Sequence, residues 1–542
     1  MSEIEDISDN ATINLVLDTL KKNKQALVFC NTRKSAEATA EKISKYIKNF
    51  DKNLENEWLN ISESALNVLS TPTKQCQRLA LCLKKGIAFH HAGLHSEQRA
   101  IVENNFRKGL IKVICATPTL AYGLNLPAFR AIIKDLKRYG GKWGMEWIPT
   151  LEYHQMAGRA GRPDFNDKYG EAICIANNEK EIDEILNRFI NAPPEKIYSK
   201  LAVEPVLRTY CLSLIATDYC KTKEDLINFF EKTFYGKQYG DMERLAKIID
   251  KILNYLEEWE FIILPDKNND YELSKKASNL IRESEFISAN DILKNEYNNK
   301  EIIKITKLGQ RVSELYIDPY TANFIITSLR RATGLKVNEY SFIQMISSTL
   351  ELRPLPSLRM SEIEEIESKI DDLNLIINKP DYFDADYDEF LKSMKLTYAL
   401  IDWMEEKTED DILNKYNIAP GELNVKKELA DWILFSTEEL CHLLGFMDIL
   451  KIIKKARYRL DKGIKEELIP LTRLTGIGRV RARILFKNGI KDIGDIKKTD
   501  LNILTQLVGK KIAENLKNET GDLKEPISES KRKGQLSLGK FD

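Results

Sequence analysis

Five short apolar runs, each leading into a helical pattern, leave the first third of this chain few ways to fold. The run Gln25-Ala26-Leu27-Val28-Phe29-Cys30 ends in Asn31-Thr32-Arg33 and passes into helical periodicity from Ser35. The same grammar recurs at 86–93 (GIAFHHAG), 112–117 (KVICAT), 131–136 (AIIKDL) and 171–176 (EAICIA). Runs this short and this apolar suit buried parallel strands feeding helices. Their alternation predicts a doubly wound α/β lobe, and in such sheets ligands meet the loops beyond the strand C-termini. Those loops are Asn31-Thr32-Arg33, His91-Ala92-Gly93, Ala116-Thr117-Pro118-Thr119 and 121–127 (AYGLNLP).

The octet Gln155-Met156-Ala157-Gly158-Arg159-Ala160-Gly161-Arg162 adds chemistry to that lobe. Read as helix, it sets Arg159 and Arg162 one turn apart, with Gly158 and Gly161 admitting a neighbouring backbone. Such a pair suits the neutralisation of charge on a transferring γ-phosphate, where an arginine finger is worth about 10³ to 10⁵ in rate. The plainer reading is a surface helix end with solvated arginines.

In order and spacing, Phe29-Cys30-Asn31-Thr32-Arg33, HHAGL at 90–94, ATPTLAYGLNLPA at 116–128 and QMAGRAGRP at 155–163 resemble motifs IV, IVa, V and VI of superfamily 2 helicases in their Ski-like branch, specifically the archaeal Hjm-type DNA helicases. The resemblance implies a RecA-like second motor lobe in which Gly123, Asn125, Gln155, Arg159 and Arg162 face ATP, with Gln155, Arg159 and Arg162 catalytic. Thr32, Arg33, His91 and Gly93 would lie along a nucleic-acid phosphate track, and Thr117, Gly123 and Asn125 would couple nucleotide state to strand contact. Small hydroxyls and backbone amides suit phosphate because they donate without bulk. The histidines His90, His91 and His95 raise zinc as an alternative, which the absence of a nearby Cys or carboxylate completing a ligand set disfavours; no metal site is expected.

A helicase motor also needs a phosphate loop of the form GxxxxGK[ST] and an acidic strand end for magnesium. The only near match to the loop is 534–541 (GQLSLGKF), with Phe541 where the hydroxyl belongs, and Asp183-Glu184 and Asp388-Glu389 do not follow apolar strands. The expectation is a chain that begins at the second lobe, a truncated or split gene product. ATP and Mg²⁺ are then the expected cofactors, with Mg²⁺ held by a first lobe supplied in cis or trans.

At 542 residues the chain has room for several domains, and Lys plus Arg equals Asp plus Glu at 82 each, so any basic surface must be local. Eight cysteines with no CxxC pair read as reduced core residues. With no signal peptide or long apolar run, a soluble, cytoplasmic, nucleoid-associated protein is expected.

The second lobe is assigned to residues 1–198, and within it 137–149 (KRYGGKWGMEWIP) reads as a β-hairpin. In the family a hairpin here splits the duplex, and Trp143 at its tip would stack on the last base pair; the alternative is aromatics that pack the hairpin onto the lobe. Residues 199–318 fit a winged helix, with helices at 204–217 and 223–233, a polar loop, and short strands at 271–274 and 302–308. The family uses this domain to brace the motor. A DNA-reading wing is the weaker alternative.

Residues 319–450 read as a helical bundle, broken at Pro354, Pro356, Pro380 and Pro420. Within it, 425–440 would be the ratchet helix, whose Trp432 either stacks on a base or fills the bundle core. The basic residue expected seven positions earlier is Val425, with Lys426 and Lys427 beside it. Residues 451–518 read as a helix-hairpin-helix domain: Gly476 and Gly478 leave amides free for phosphate, and Arg479, Arg481 and Arg483 add sequence-independent attraction. A disordered tail, 519–542, carries Gln535, Leu538 and Phe541 at the spacing of a sliding-clamp-binding peptide.

The resulting expectation is an ATP-dependent, 3′ to 5′ DNA helicase of forked and single-stranded DNA in replication-coupled repair, with the sliding clamp as a partner through the tail. Its rivals are an RNA helicase of the same branch and a non-enzymatic, clamp-tethered DNA-binding protein.

Overall fold

In the computed structural model the described residues are 4–47, 54–69, 71–122, 126–139, 144–161, 167–201, 203–265, 302–370 and 374–521. The N-terminal lobe is built on strands β1 (Ala26–Phe29), β2 (Ile87–His90), β3 (Val113–Ala116), β4 (Arg130–Ile133) and β7 (Glu171–Cys174), in the order β2-β3-β1-β4-β7. Each neighbouring pair is parallel, with Leu27 opposite Ile114 on one side and Ala131 on the other. All four residues of β1, β2, β3 and β4 are buried, which explains why they read as unbroken apolar runs: helices cover both faces.

One polar residue crosses that core. Arg130 on β4 is 1% exposed, and its Nη1 donates to Leu15 O at 2.8 Å and Thr19 Oγ1 at 2.9 Å on helix Ala11–Lys21. Asp18 at 2.9 Å and Glu171, with Arg130 Nε donating at 2.7 Å, complete its partners. A buried guanidinium is tolerated when its donors are met, and here it fastens the N-terminal helix to the sheet.

Strands β5 (Lys137–Tyr139) and β6 (Met145–Trp147) pair antiparallel, as expected for the hairpin. The winged-helix region contains helices Glu204–Ala216 and Lys223–Glu231, but the stretch expected to be a polar loop holds two more helices, Phe234–Tyr239 and Met242–Glu258. In the second, Leu245, Ile249, Ile252, Leu253 and Leu256 form a buried stripe. Strand β8 (Ile262–Ile263) pairs with β9 (Lys304–Ile305), and the strand expected at 271–274 lies outside the described residues. Thr306 caps the following helix by accepting from Gly309 N at 2.9 Å, and a Cβ on Gly309 would sit 2.0 Å from Phe261 O, so only glycine fits this crossing.

The bundle is organised around the 25-residue helix Pro420–Leu444 and helix Met447–Lys462. Pro420 opens the first of these rather than merely interrupting the chain, as a proline at the first helical position does. A single apolar core runs from Leu207 to Leu460, so the winged-helix region and the bundle share an interior. It includes Ile449, Leu450, Ile453 and Leu460, which places Met447–Lys462 with the bundle and moves the boundary of the last domain from 450 to about Gly463. Beyond it, Ile464 to Leu516 enclose a separate core.

Candidate nucleotide and nucleic-acid interfaces

Helix Thr150–Ala157 carries Gln155, and its N-terminus is closed by the Glu195 carboxylate, which accepts from Thr150 N and, at 2.7 Å, from Leu151 N. Gln155 is exposed on this helix. The helix ends at Ala157, so the octet is not helical throughout as expected. Ala160 instead bridges to Ala128: Ala128 N donates to Arg159 O at 2.9 Å and Gly161 N to Ala128 O at 2.7 Å. Gly161 has φ +98°, and a Cβ on Gly170 would lie 2.2 Å from Gly161 N, which accounts for small residues at both positions.

Arg159 therefore sits on the turn between the end of helix Thr150–Ala157 and the Ala160–Ala128 bridge. Its Nη2 donates to the carbonyl of Ala121, joining motif VI to the 3₁₀ turn Pro118–Ala121 of motif V. Its Nε is buried without a partner among the described residues, as is Nε2 of His154. A cationic group with an unmet donor suits an incoming phosphate oxygen. Thr117 closes β3, with its Oγ1 2.9 Å from that of Thr119. Gly123, Asn125 and Arg162 lie outside the described residues.

Three residues expected along the phosphate track are committed elsewhere. His91 is 0% exposed, with Nε2 3.1 Å from Glu37 Oε1 and Nδ1 accepting from Gly93 N at 3.1 Å, so it organises the loop from inside. Burial pushes the Glu37 carboxyl up, but hydrogen bonds from His91 and Gln75 and the charge of Arg78 outweigh it and hold the group below its ordinary value. Gly93 is buried against the long helix of the bundle: its carbonyl accepts from Gly421 N at 3.0 Å. Arg33 points the same way, with Nη2 2.6 Å from Glu422 Oε1. Of this group Thr32 alone is exposed, accepting from Ser35 N at 3.1 Å as a helix cap. The other two histidines of that cluster have local partners, His90 with Glu103 at 2.9 Å and His95 at the N-cap of Ser96–Arg107.

The hairpin is fixed at its base to the loop after β1 and to the Gln155 helix. The Asn31 side-chain amide donates to the Lys137 carbonyl, and Arg138 Nη1 lies 3.0 Å from Glu152 Oε2 on the Gln155 helix. Trp147 packs the hairpin onto the lobe, edge-on to Phe189 with Lys137 Nζ 4.0 Å from its ring. Tyr139 and Met145 are exposed, whereas Trp143 lies outside the described residues.

Trp432 is half-buried and its indole N–H donates to Leu315 O at 3.1 Å, tying the long helix to the winged-helix region. The lysines beside Val425 are engaged, Lys426 Nζ with Leu352 O at 2.6 Å and Lys427 Nζ 3.9 Å from the Trp403 ring. Neither of these lysines is paired with Trp432.

The last domain corrects the sequence reading most. Gly476, at φ +81°, and Gly478 face open space, as an amide clamp for phosphate needs. Arg479 and Arg483, however, turn inward to the bundle. Arg479 Nη2 lies 3.2 Å from Glu409 and its guanidinium 4.3 Å from Trp403, while Arg483 Nε donates to Glu406 at 2.7 Å. Only Arg481 is exposed, with Nη1 donating to Gly476 O at 3.0 Å. A second hairpin was missed from sequence: Gly509, at φ +88°, separates helices Leu501–Val508 and Lys510–Gly521, with Lys510 and Lys511 exposed. Its signal was the pattern Leu507-Val508-Gly509-Lys510-Lys511, a glycine between an apolar helix end and a basic helix start.

A parallel-sheet lobe with an arginine tying a helix-end turn to the loop after β3, continued into a helical bundle and paired helical hairpins, defines part of a nucleic-acid motor. Three family models agree: "Helicase conserved C-terminal domain" over residues 52–164, "Archaeal helicase, domain 4" over 340–463 and "SAM-like Helix-hairpin-helix tandem" over 468–522. The chain is 39% identical to the ATP-dependent DNA helicase Hel308 of Methanococcus vannielii, over 96% of this chain and 69% of that protein. It is 37% identical to those of Methanocella arvoryzae, over 98% and 68%, and of Pyrococcus horikoshii, over 97% and 68%. The chain belongs to the Hel308 family of ATP-dependent DNA helicases.

Proposed function

We propose that this chain is the strand-handling part of a 3′ to 5′ DNA helicase that opens forked and single-stranded DNA in replication-coupled repair. The observation that carries this is the position of Arg159, clasped to the Ala121 carbonyl with its Nε left unmet, beside an exposed Gln155. ATP bound here would place phosphate oxygens against that donor, and Arg159 would offset the charge that develops on transfer. Arg162, Gly123 and Asn125 would join it.

ATP turnover requires a first lobe bearing the phosphate loop and the Mg²⁺ carboxylate. Mg²⁺ would be held from that lobe. An exposed apolar stripe of Ile197, Tyr198, Val203, Val206 and Tyr210, between the motor lobe and the winged-helix region, supports a further domain packed there. DNA is preferred to RNA because of the tandem hairpins, and the sliding clamp would engage Gln535, Leu538 and Phe541, which lie outside the described residues.

Single-strand-stimulated ATP hydrolysis tests this reading, measured for the chain alone and with a first lobe supplied. The expected result is turnover only with the lobe, stimulated more by DNA than by RNA. Robust turnover by the chain alone would overturn the domain plan; none with the lobe would favour a non-enzymatic DNA-binding protein.

A further inference from the structure

Helix Arg33–Tyr46 serves two different surroundings. Arg33 reaches the bundle at Glu422. Ser35, Thr39 and Lys42 follow one another at helical spacing, and Ser35 stands two residues, roughly 200°, round the helix from Arg33, so this stripe turns away from the bundle. Together with Asn10 and Lys134 it lines a cleft of about 110 Å³ beside the start of helix Ala11–Lys21.

All five of these side chains can donate a hydrogen bond, and no carboxylate lines the cleft. Lys42 is exposed and makes no ion pair among the described residues. Lys134 Nζ lies 2.9 Å from Asp135 Oδ1 and donates to Ser35 Oγ at 3.3 Å, which leaves one of its three protons. Asn10 uses its side-chain oxygen to accept from Ile13 N at 3.3 Å as a helix cap, so its amide N–H groups remain, and the helix N-terminus adds its partial positive charge. Two ammonium groups, an amide and hydroxyls around one small space select an anion with several oxygens. The volume is well short of the roughly 300 Å³ at which ordinary small-molecule pockets begin, so one phosphate group is admitted and a whole nucleotide is not.

The cleft lies at the root of the hairpin. Lys134 follows β4 directly, and Asp135 and Leu136 lead on into β5. Asp135 Oδ2 accepts from Asn31 N at 3.2 Å, and the Asn31 amide holds the Lys137 carbonyl, so loop, cleft and hairpin base form one unit. Arg33 and Gly93, on the track expected for the single strand, are covered by the bundle, whereas this cleft opens on another side of the same helix. We propose that the cleft is a phosphate site which takes a backbone phosphate of the duplex just ahead of the hairpin. This rests on the reading of the hairpin as the element that parts the strands.

The test is fluorescence anisotropy of the full chain, free of nucleotide, with a forked DNA and with a single strand of the same sequence over a salt series. The fork is expected to bind more tightly. Lys42→Gln should weaken fork binding about threefold to tenfold and lower its slope of log K against log salt by about 0.9, while leaving the single strand unchanged. Lys42→Arg should restore the wild-type values, and neither variant should shift the melting temperature. Inorganic phosphate, titrated calorimetrically at fixed ionic strength, distinguishes the other source: phosphate binding lost in Lys42→Gln with fork affinity kept would assign the cleft to free phosphate and overturn the duplex assignment. Equal weakening on both DNAs would place the contact on the single strand and overturn it too. A wild-type chain with no preference for the fork would sink the strand-parting reading and the site with it, whereas a preference that Lys42→Gln keeps in full would overturn the site alone.

Discussion

Arg483 donates through Nε to the Glu406 carboxylate at 2.7 Å, across 77 residues of chain, and this contact docks the terminal domain on the bundle. Glu406 is held in the left-handed region at φ +66°, uncommon for a residue with a side chain, and it also accepts from Lys465 N at 3.1 Å. Arg483→Ala is therefore expected to lower stability by about 1–2 kcal/mol and to leave the salt dependence of DNA binding unchanged. Arg481→Ala, by contrast, should reduce the slope of log K against log salt by about 0.7 on single strands, as each phosphate contact does. Titrations over a salt series with both variants decide between the two roles.

The same pair makes docking sensitive to acid. Burial pushes Glu406 up, but Arg483 and the Lys465 amide outweigh it and hold the carboxyl below its ordinary value of 4.5. A depressed folded-state pKa means that the stabilisation is present above the ordinary value and fades as pH falls through the lower one. Limited proteolysis between the bundle and the terminal domain, from neutral pH down to about 3, should show release only below the ordinary glutamate range. Glu406→Gln should flatten that dependence.

Gly421 joins the motor lobe to the long helix. Its N–H donates to Gly93 O at 3.0 Å, and a Cβ there would lie 2.2 Å from Leu94 O and 2.4 Å from Ala92 O. Backbone cannot yield as a side chain can, so Gly421→Ala should destabilise by about 1–3 kcal/mol in thermal melts. The neighbouring Arg33–Glu422 pair is partly exposed, and Arg33→Ala should cost less than about 1 kcal/mol. A larger effect at Arg33 than at Gly421 would mean that charge, not close approach, holds this junction.

The legible parts of the sequence were those whose signal is local. Parallel strands read as apolar runs: β1, β2, β3 and β7 fall within four of the runs identified, and β4 overlaps the fifth but starts earlier, at the buried Arg130. Helix Met242–Glu258 was missed because its exposed Glu243, Arg244, Lys247, Lys251, Glu257 and Glu258 outweigh, by composition, the buried stripe at helical spacing. The roles of Arg479 and Arg483 were illegible for another reason. Their carboxylate partners lie 70 and 77 residues away, and a run of arginines beside glycines looks alike whether it meets phosphate or a neighbouring domain. His91 and Gly93 failed in the same way, since burial against Glu37 and Gly421 depends on tertiary contacts.

Trp432 separates two functions that a single alanine substitution would merge. Its indole N–H donates to Leu315 O at 3.1 Å, which is a docking contact, while the half-buried ring leaves part of its surface outside the core. Trp432→Phe removes the donor and keeps an aromatic face. It should lower stability by about 0.5–1.5 kcal/mol for the lost hydrogen bond and leave the Leu315 carbonyl to find water. If the ring also stacks on a base, the same variant should keep single-strand affinity within about threefold, whereas Trp432→Ala should lose about 1–3 kcal/mol of binding free energy beyond any change in stability. Fluorescence anisotropy with a short thymidine oligomer, well below the melting temperature of each variant, measures this. Equal affinities for Trp432→Phe and Trp432→Ala, with stability lost in both, would assign the tryptophan to docking alone.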